Sequence, residues 1–213
     1  MAYDLQEQEQ LAQFRAWWDK YGNWVLTVLT FALLAIAAVN GYKWYERDQA
    51  AKAAAVYDEL VRAVDANNGA RVQELTDTLT ARHGRTVYAP MAALYAARFK
   101  HAAGDLPGAR ARLQWVIDDS GHPEYLPLAR LRLAGVQLDE KAFDEALRTL
   151  AAAPPPAVLA AADADRRGDV LAAQGKTGEA RAAYQEALDK ADAGHPLRRI
   201  VEIKLDALPA AAS

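Results

Sequence analysis

The sequence predicts an all-α protein: a single N-terminal transmembrane helix followed by an α-solenoid of short helical hairpins. Three observations carry this. Alanine supplies 49 of the 213 residues, against only 12 glycines and 9 prolines, a composition that favours closely packed helices over strands. The 22 residues from Tyr21 to Tyr42 contain no charge. Beyond them, small residues recur at a near-constant period.

At 1.5 Å per residue, the uncharged stretch makes a helix of roughly 33 Å, enough to cross a bilayer. Its apolar centre is Val25 to Val39. Trp17, Trp18, Tyr21 and Trp24 flank it on one side, and Tyr42, Trp44 and Tyr45 on the other. Indole and phenol rings settle at the headgroup level, so the two clusters mark two interfaces. The leader carries Asp4, Glu7, Glu9 and Asp19 against Arg15 and Lys20, a net negative charge unlike the positive n-region of a cleaved signal peptide, which favours an uncleaved anchor over a signal peptide cut at Ala35-Ile36-Ala37. Lys43, Arg47 and Lys52 follow the span, and the positive-inside count does not decide the topology. The expected organisation is a short tail at 1–20, a span at 21–45, a repeat domain at 46–208 and a disordered tail at 209–213.

From Glu46 onward 22 basic residues face 24 acidic ones, an ordinary solvated helical surface. Tyr57, Leu60, Val61 and Val64 continue a helical stripe, so the membrane helix is expected to run on into the domain. Asn67-Asn68-Gly69 breaks it, and a second helix runs from about Ala70 to Arg82. Three further turns each lead into a helix-opening alanine: Ala109, Ala146 and Ala180, spaced 37 and 34 residues apart. Ala97, Ala134 and Gly168 precede those turns with the same 37 and 34 spacing, and small residues there let the two helices of a hairpin approach closely. Val116, Ala153 and Ala187 are expected in the second helices. Pro154-Pro155-Pro156 reads as a stiff spacer. A last helix, Leu197 to Leu208, with Ile200, Ile203 and Leu208 apolar, is expected to cap the open end.

The pattern resembles the tetratricopeptide repeat (TPR), whose period is 34. The unit at 161–188 fits best, through Gly168, Leu171, Gly175, Ala180, Tyr184 and Ala187. Units at 127–153 and 90–117 follow, and 46–83 reads as a degenerate leading unit with Val72 in place of the alanine.

Chemistry finds little support. With no cysteine, thiolate zinc sites and cysteine nucleophiles are excluded. The net charge of −3 offers no basic excess for nucleic acid. His83, His101, His122 and His195 lie in turns or near helix ends without a metal-spaced partner. Asp118-Asp119 and the pair Asp163 and Asp165 read as surface carboxylates with no nucleophile or raised-pKa partner near them. No phosphate loop, nucleophile elbow or dinucleotide turn is present. We therefore expect no enzyme activity, cofactor or small-molecule substrate. What remains is a groove lined by the first helix of each hairpin. Its candidate partner-binding residues are Met91, Leu94, Arg98 and His101 from the first unit, Leu128, Leu131 and Leu138 from the second, and Asp165 and Asp169 from the third. The leucines are the strongest candidates, since they need a surface to cover. The capping helix or the leading helix filling that groove is the competing expectation.

The opening residues are the most specific. Tyr3-Asp4-Leu5-Gln6-Glu7-Gln8-Glu9-Gln10-Leu11, then Trp17-Trp18 and Tyr21-Gly22-Asn23, together with Leu113-Gln114-Trp115-Val116 and Ala129-Arg130-Leu131-Arg132-Leu133-Ala134, resemble the YfgM family of bacterial inner-membrane proteins over essentially the whole chain. The resemblance implies an ancillary subunit of the SecYEG protein-export channel. It places the N-terminus in the cytoplasm and the repeat domain in the periplasm, with a PpiD-type membrane-anchored chaperone as partner. No residue-level binding site carries over. The alternative is an envelope TPR adaptor for cell-wall or division machinery.

Overall fold

The computed structural model describes residues 2–209, and among them every regular element is helical. The expected tail thus falls outside the described residues for 210–213. The helices are α1 (Ala2–Asp65), α2 (Gly69–Arg82), α3 (Tyr88–Ala102), α4 (Leu106–Asp118), α5 (Leu126–Asp139), α6 (Phe143–Ala151), α7 (Ala157–Ala173), α8 (Thr177–Lys190) and α9 (Leu197–Ala207), with one 3-10 turn at Pro123–Tyr125. The chain divides into two units, Met1–Gln49 and Ala50–Ser213.

In the first unit α1 is already helical through the segment expected to be a short tail. Its apolar side chains are largely exposed among the described residues: Trp24, Phe31, Leu34 and Trp44 are each at least 60% exposed. A helix that is apolar all round and uncovered is long enough to be solvated by lipid. Its two interior threonines leave no bare hydroxyl, because Thr27 Oγ1 donates to the Asn23 carbonyl at 2.7 Å and Thr30 Oγ1 to that of Leu26 at 2.8 Å. At one end Phe14, Trp17, Trp18 and Tyr21 pack ring to ring, with centroids 5.8–6.4 Å apart.

The second unit is four hairpins and a cap. The last four turns of α1 pair with α2, where Ala53, Leu60 and Ala63 pack with Val72, Leu75 and Leu79 and against Ala92 and Ala96 of α3. Successive helices then pack on one another through α3/α4, α5/α6 and α7/α8. The predicted crossing residues Ala97, Ala134, Ala109, Ala146 and Ala180 are all buried, as is Gly168.

One backbone feature repeats in every hairpin. Asn67, Gly104, Lys141 and Gly175 all adopt positive φ, at 51°, 79°, 61° and 76°, spaced 37, 37 and 34 residues apart. In each case the next amide donates to a carbonyl five residues back: Asn68 to Ala63, Asp105 to Lys100, Ala142 to Gln137 and Lys176 to Leu171, at 2.8–2.9 Å. This is a Schellman closure, which satisfies the orphan carbonyls at a helix end while reversing the chain. The leading unit, degenerate in sequence, therefore shares the turn of the other three.

Two expectations about side chains are corrected. Ala153 is not in a second helix, because α6 ends at Ala151; it directly precedes the prolines, and a residue before proline is pushed out of the helical region. The face of α9 also differs. Val201 is buried and Leu197, Leu205 and Leu208 pack on the α7/α8 core, whereas Ile200 and Ile203 are 51% and 61% exposed. The stripe 197, 201, 205, 208 holds one side of a 3.6-residue helix, and that stripe wins.

Candidate protein-binding groove

The first helices of three successive hairpins, α3, α5 and α7, contribute to the walls of an open cavity of about 400 Å³. Ala97, Arg98 and His101 come from α3, Leu113 from α4, Arg132, Gly135, Val136 and Asp139 from α5, and Arg166 from α7. His101 Nε2 lies 2.5 Å from Asp139 Oδ2, tying α3 to α5 across 38 residues of sequence. Arg132 Nη1 donates to the Leu94 carbonyl at 3.3 Å. Part of Arg132 is open to solvent, but burial along its reach over α3 and the nearby Arg98 charge both lower its pKa. Arg166 lies beside Gly135, where a Cβ would be in ordinary contact with the guanidinium carbon at 3.4 Å. The Arg166 Nε is buried without a hydrogen-bond partner.

Of the nine candidates named from sequence, only Arg98 and His101 line this cavity. Leu94 is 4% exposed and belongs to the α3/α4 core, so it offers no free surface. Met91 is half-buried. The α5 leucines are also drawn inward. Leu128 packs on the α3/α4 core, and Leu131 and Leu138 pack on Ala134, Ala146, Leu150 and Val170 between the α5/α6 hairpin and α7. The surface these leucines needed is the adjoining repeat.

Asp165 and Asp169 are taken by the cap. Lys204 of α9 donates to Asp165 Oδ1 and Asp169 Oδ1, each at 2.7 Å, and the Tyr184 hydroxyl donates to Asp169 Oδ1 at 2.9 Å. At the third unit the C-terminal helix engages the two candidate carboxylates through Lys204, and α9 does not line the cavity. Burial pushes the Asp165 carboxyl above the usual range, opposed by Lys204. It raises Asp163 also, opposed by Arg167 and Lys190. The aspartates of α7 are therefore less ordinary than the sequence indicates, although the groups around them are ion-pair partners and not nucleophiles. Two histidines likewise gain carboxylates: His101 from Asp139, and His122 from Glu124 at 3.0 Å.

Sequence reasoning passed over Arg132, Asp139 and Arg166. A signal was there: Arg132 and Arg166 each stand two residues before the small crossing residue of their unit, Ala134 and Gly168, and Tyr95 holds the same place before Ala97. The Tyr95 ring stands 6.0 Å from that of Tyr57, edge to face, and Tyr57 is 5.5 Å from Tyr88. Burial and the Tyr95 hydroxyl push the Tyr57 phenol up to about 12.

A family model described as a tetratricopeptide repeat-like domain matches residues 15–210. A Neisseria gonorrhoeae protein named "Ancillary SecYEG translocon subunit" is 32% identical over 98% of this chain and 100% of its own length. The chain belongs to this TPR-like family of YfgM proteins. Relatives carrying the same name in Haemophilus influenzae and Escherichia coli are each 27% identical, over 88% and 83% of this chain and 91% and 85% of their own lengths. No solved structure matches. The Neisseria relative thus aligns over nearly the whole chain, the apolar helix and the repeats together.

Proposed function

We propose that this YfgM-family chain is a membrane-anchored TPR scaffold associated with the SecYEG export channel, linking translocation to periplasmic chaperones by protein–protein interaction. The observation that supports it most is end-to-end similarity to a protein named as an ancillary SecYEG subunit. The geometry is of the same kind: an uncovered apolar helix suited to a bilayer, joined to a repeat domain whose helices enclose an open cavity. Anchoring raises the local concentration of whatever the domain binds, so a weak contact suffices. In this reading the N-terminus is cytoplasmic, the repeats are periplasmic, a PpiD-type chaperone is the partner, and the protein acts by binding and not by turnover.

The test is purification of the full chain from cross-linked membranes in mild detergent. Channel subunits together with a membrane-anchored chaperone, both well above a mock purification, are the expected result. Neither above background would overturn the reading.

A further inference from the structure

The cavity between α3, α5 and α7 is cationic in a chain whose net charge is negative. Three guanidiniums, Arg98, Arg132 and Arg166, converge on it from three successive hairpins. Among the described residues neither Arg98 nor Arg132 has a carboxylate partner, although ion pairs are frequent elsewhere on the domain. Asp139, the carboxylate on the cavity wall, is engaged by His101. Arg166 meets Asp169 only at 3.7 Å, and that carboxylate is already bound by Lys204 and Tyr184. Its Nε is buried and unpartnered. Like charges left together without compensation disfavour the empty site and reward an incoming anion.

The geometry points to an acidic peptide segment of a partner protein as the occupant, with its carboxylates on Arg98, Arg132 and Arg166. This deepens the scaffold reading and rests on it. Guanidinium forks suit carboxylates through paired N–H donors. The three guanidiniums are spread over three successive hairpins, a span that a peptide with several carboxylates bridges and a single inorganic anion does not. Packed helices lie about 8–10 Å apart, and a polyproline II chain advances about 3.1 Å per residue with three residues to a turn, which keeps every third side chain on one side. Acidic residues some three positions apart would therefore meet successive hairpins. Arg98 and Arg166 serve as test positions, because Arg132 also holds the Leu94 carbonyl.

The experiment is fluorescence anisotropy with the full chain in non-ionic detergent. The probe is a labelled nine-residue peptide in which glutamate is followed by two small apolar residues, three times over, and the control has glutamine in place of glutamate. The glutamate peptide should bind at least about tenfold more tightly, roughly 1.4 kcal/mol, with the advantage shrinking as salt rises. Arg98→Gln with Arg166→Gln should abolish that advantage at unchanged helicity and thermal unfolding, and the Lys pair should restore part of it. Should the double variant fail to fold, Arg98→Gln alone, on an exposed residue, should still halve the advantage or more.

Equal affinity for the two peptides, or an advantage that survives in a folded double variant, overturns the proposal. So does displacement of the peptide by inorganic phosphate at equal concentration, which would mark a small-anion site. Binding to phosphatidylglycerol vesicles that needs Arg98 and Arg166 would overturn it in favour of a lipid surface. If channel subunits still co-purify when peptide binding fails, the inference falls alone. If the peptide binds and no channel subunit co-purifies, the scaffold reading falls and the acidic-peptide site stands.

Discussion

The backbone of Gly168 in α7 lies against the ring of Tyr184 in α8, so closely that a Cβ on Gly168 would stand 2.5 Å from Cδ1 and Cε1 of the ring. Tyr184 cannot retreat freely, because its hydroxyl is bonded to Asp169 and the residue is 3% exposed. In an unobstructed helix, glycine to alanine would gain about 0.5–1 kcal/mol. Here overpacking by about 1–3 kcal/mol opposes it and wins. Gly168→Ala should lower the stability of the repeat domain in thermal or urea unfolding followed by helicity; a gain would show that the α7/α8 crossing is looser than described.

Lys141 occupies the left-handed position that glycine fills in the two flanking turns, at φ 61°. A Cβ there costs about 1 kcal/mol. Lys141 is exposed and at the turn, so its side chain is dispensable to packing. Lys141→Gly should raise the melting temperature by about 2–4 °C. A lower melting temperature would mean that unfolded-chain entropy outweighs the relief of strain.

Lys204 is the cation nearest the buried Asp165. Asp165 is raised first by burial and further by Asp169, and held down by Lys204 and Arg166. An acid whose folded pKa lies above its unfolded value binds its proton more tightly in the folded state. Its ionisation therefore costs stability as pH rises through the folded pKa, and acidification returns it. Lys204→Gln removes one of the opposing charges. The variant should lose about 1–3 kcal/mol at neutral pH and recover part of that loss relative to the parent as pH falls through the raised folded pKa of Asp165. A loss independent of pH would remove Asp165 from the explanation.

Leu131→Glu separates the two views of α5. Read from sequence, Leu131 is a groove residue whose change spares folding. In the structure it packs between hairpins on Ala134, Ala146, Leu150 and Val170. A charge placed there should destabilise the domain by about 1–3 kcal/mol, visible as a lowered urea midpoint, and unchanged unfolding would return Leu131 to the surface.

The repeats were legible because their determinants are local. Small residues at fixed offsets, Gly104 and Gly175 at turns and Pro154–Pro156 after α6 each announce one constraint within a few residues. Lys141 shares that turn without announcing it, since only the backbone path around it forces positive φ. The candidate site was legible only in part. Arg98 and His101 were found from the register of α3. Arg132 and Arg166 sit at positions whose direction depends on how α5 and α7 pack on the neighbouring hairpins. The partners of Asp165 and Asp169 lie up to 39 residues away in sequence, beyond any local pattern. The α5 leucines misled because periodicity marks an apolar face and does not say whether a repeat or a ligand covers it.

The central claim, a channel-associated scaffold that presents its repeats to periplasmic partners, is tested most directly by site-specific photo-cross-linking in intact cells. Probes go at Trp24, 69% exposed on the apolar helix, and at Tyr95, on the exposed side of α3. Mass spectrometry of the adducts should return channel subunits from Trp24 and periplasmic chaperone or emerging chains from Tyr95. Adducts to cytoplasmic proteins alone from Tyr95, with no channel subunit from Trp24, would contradict both the orientation and the association.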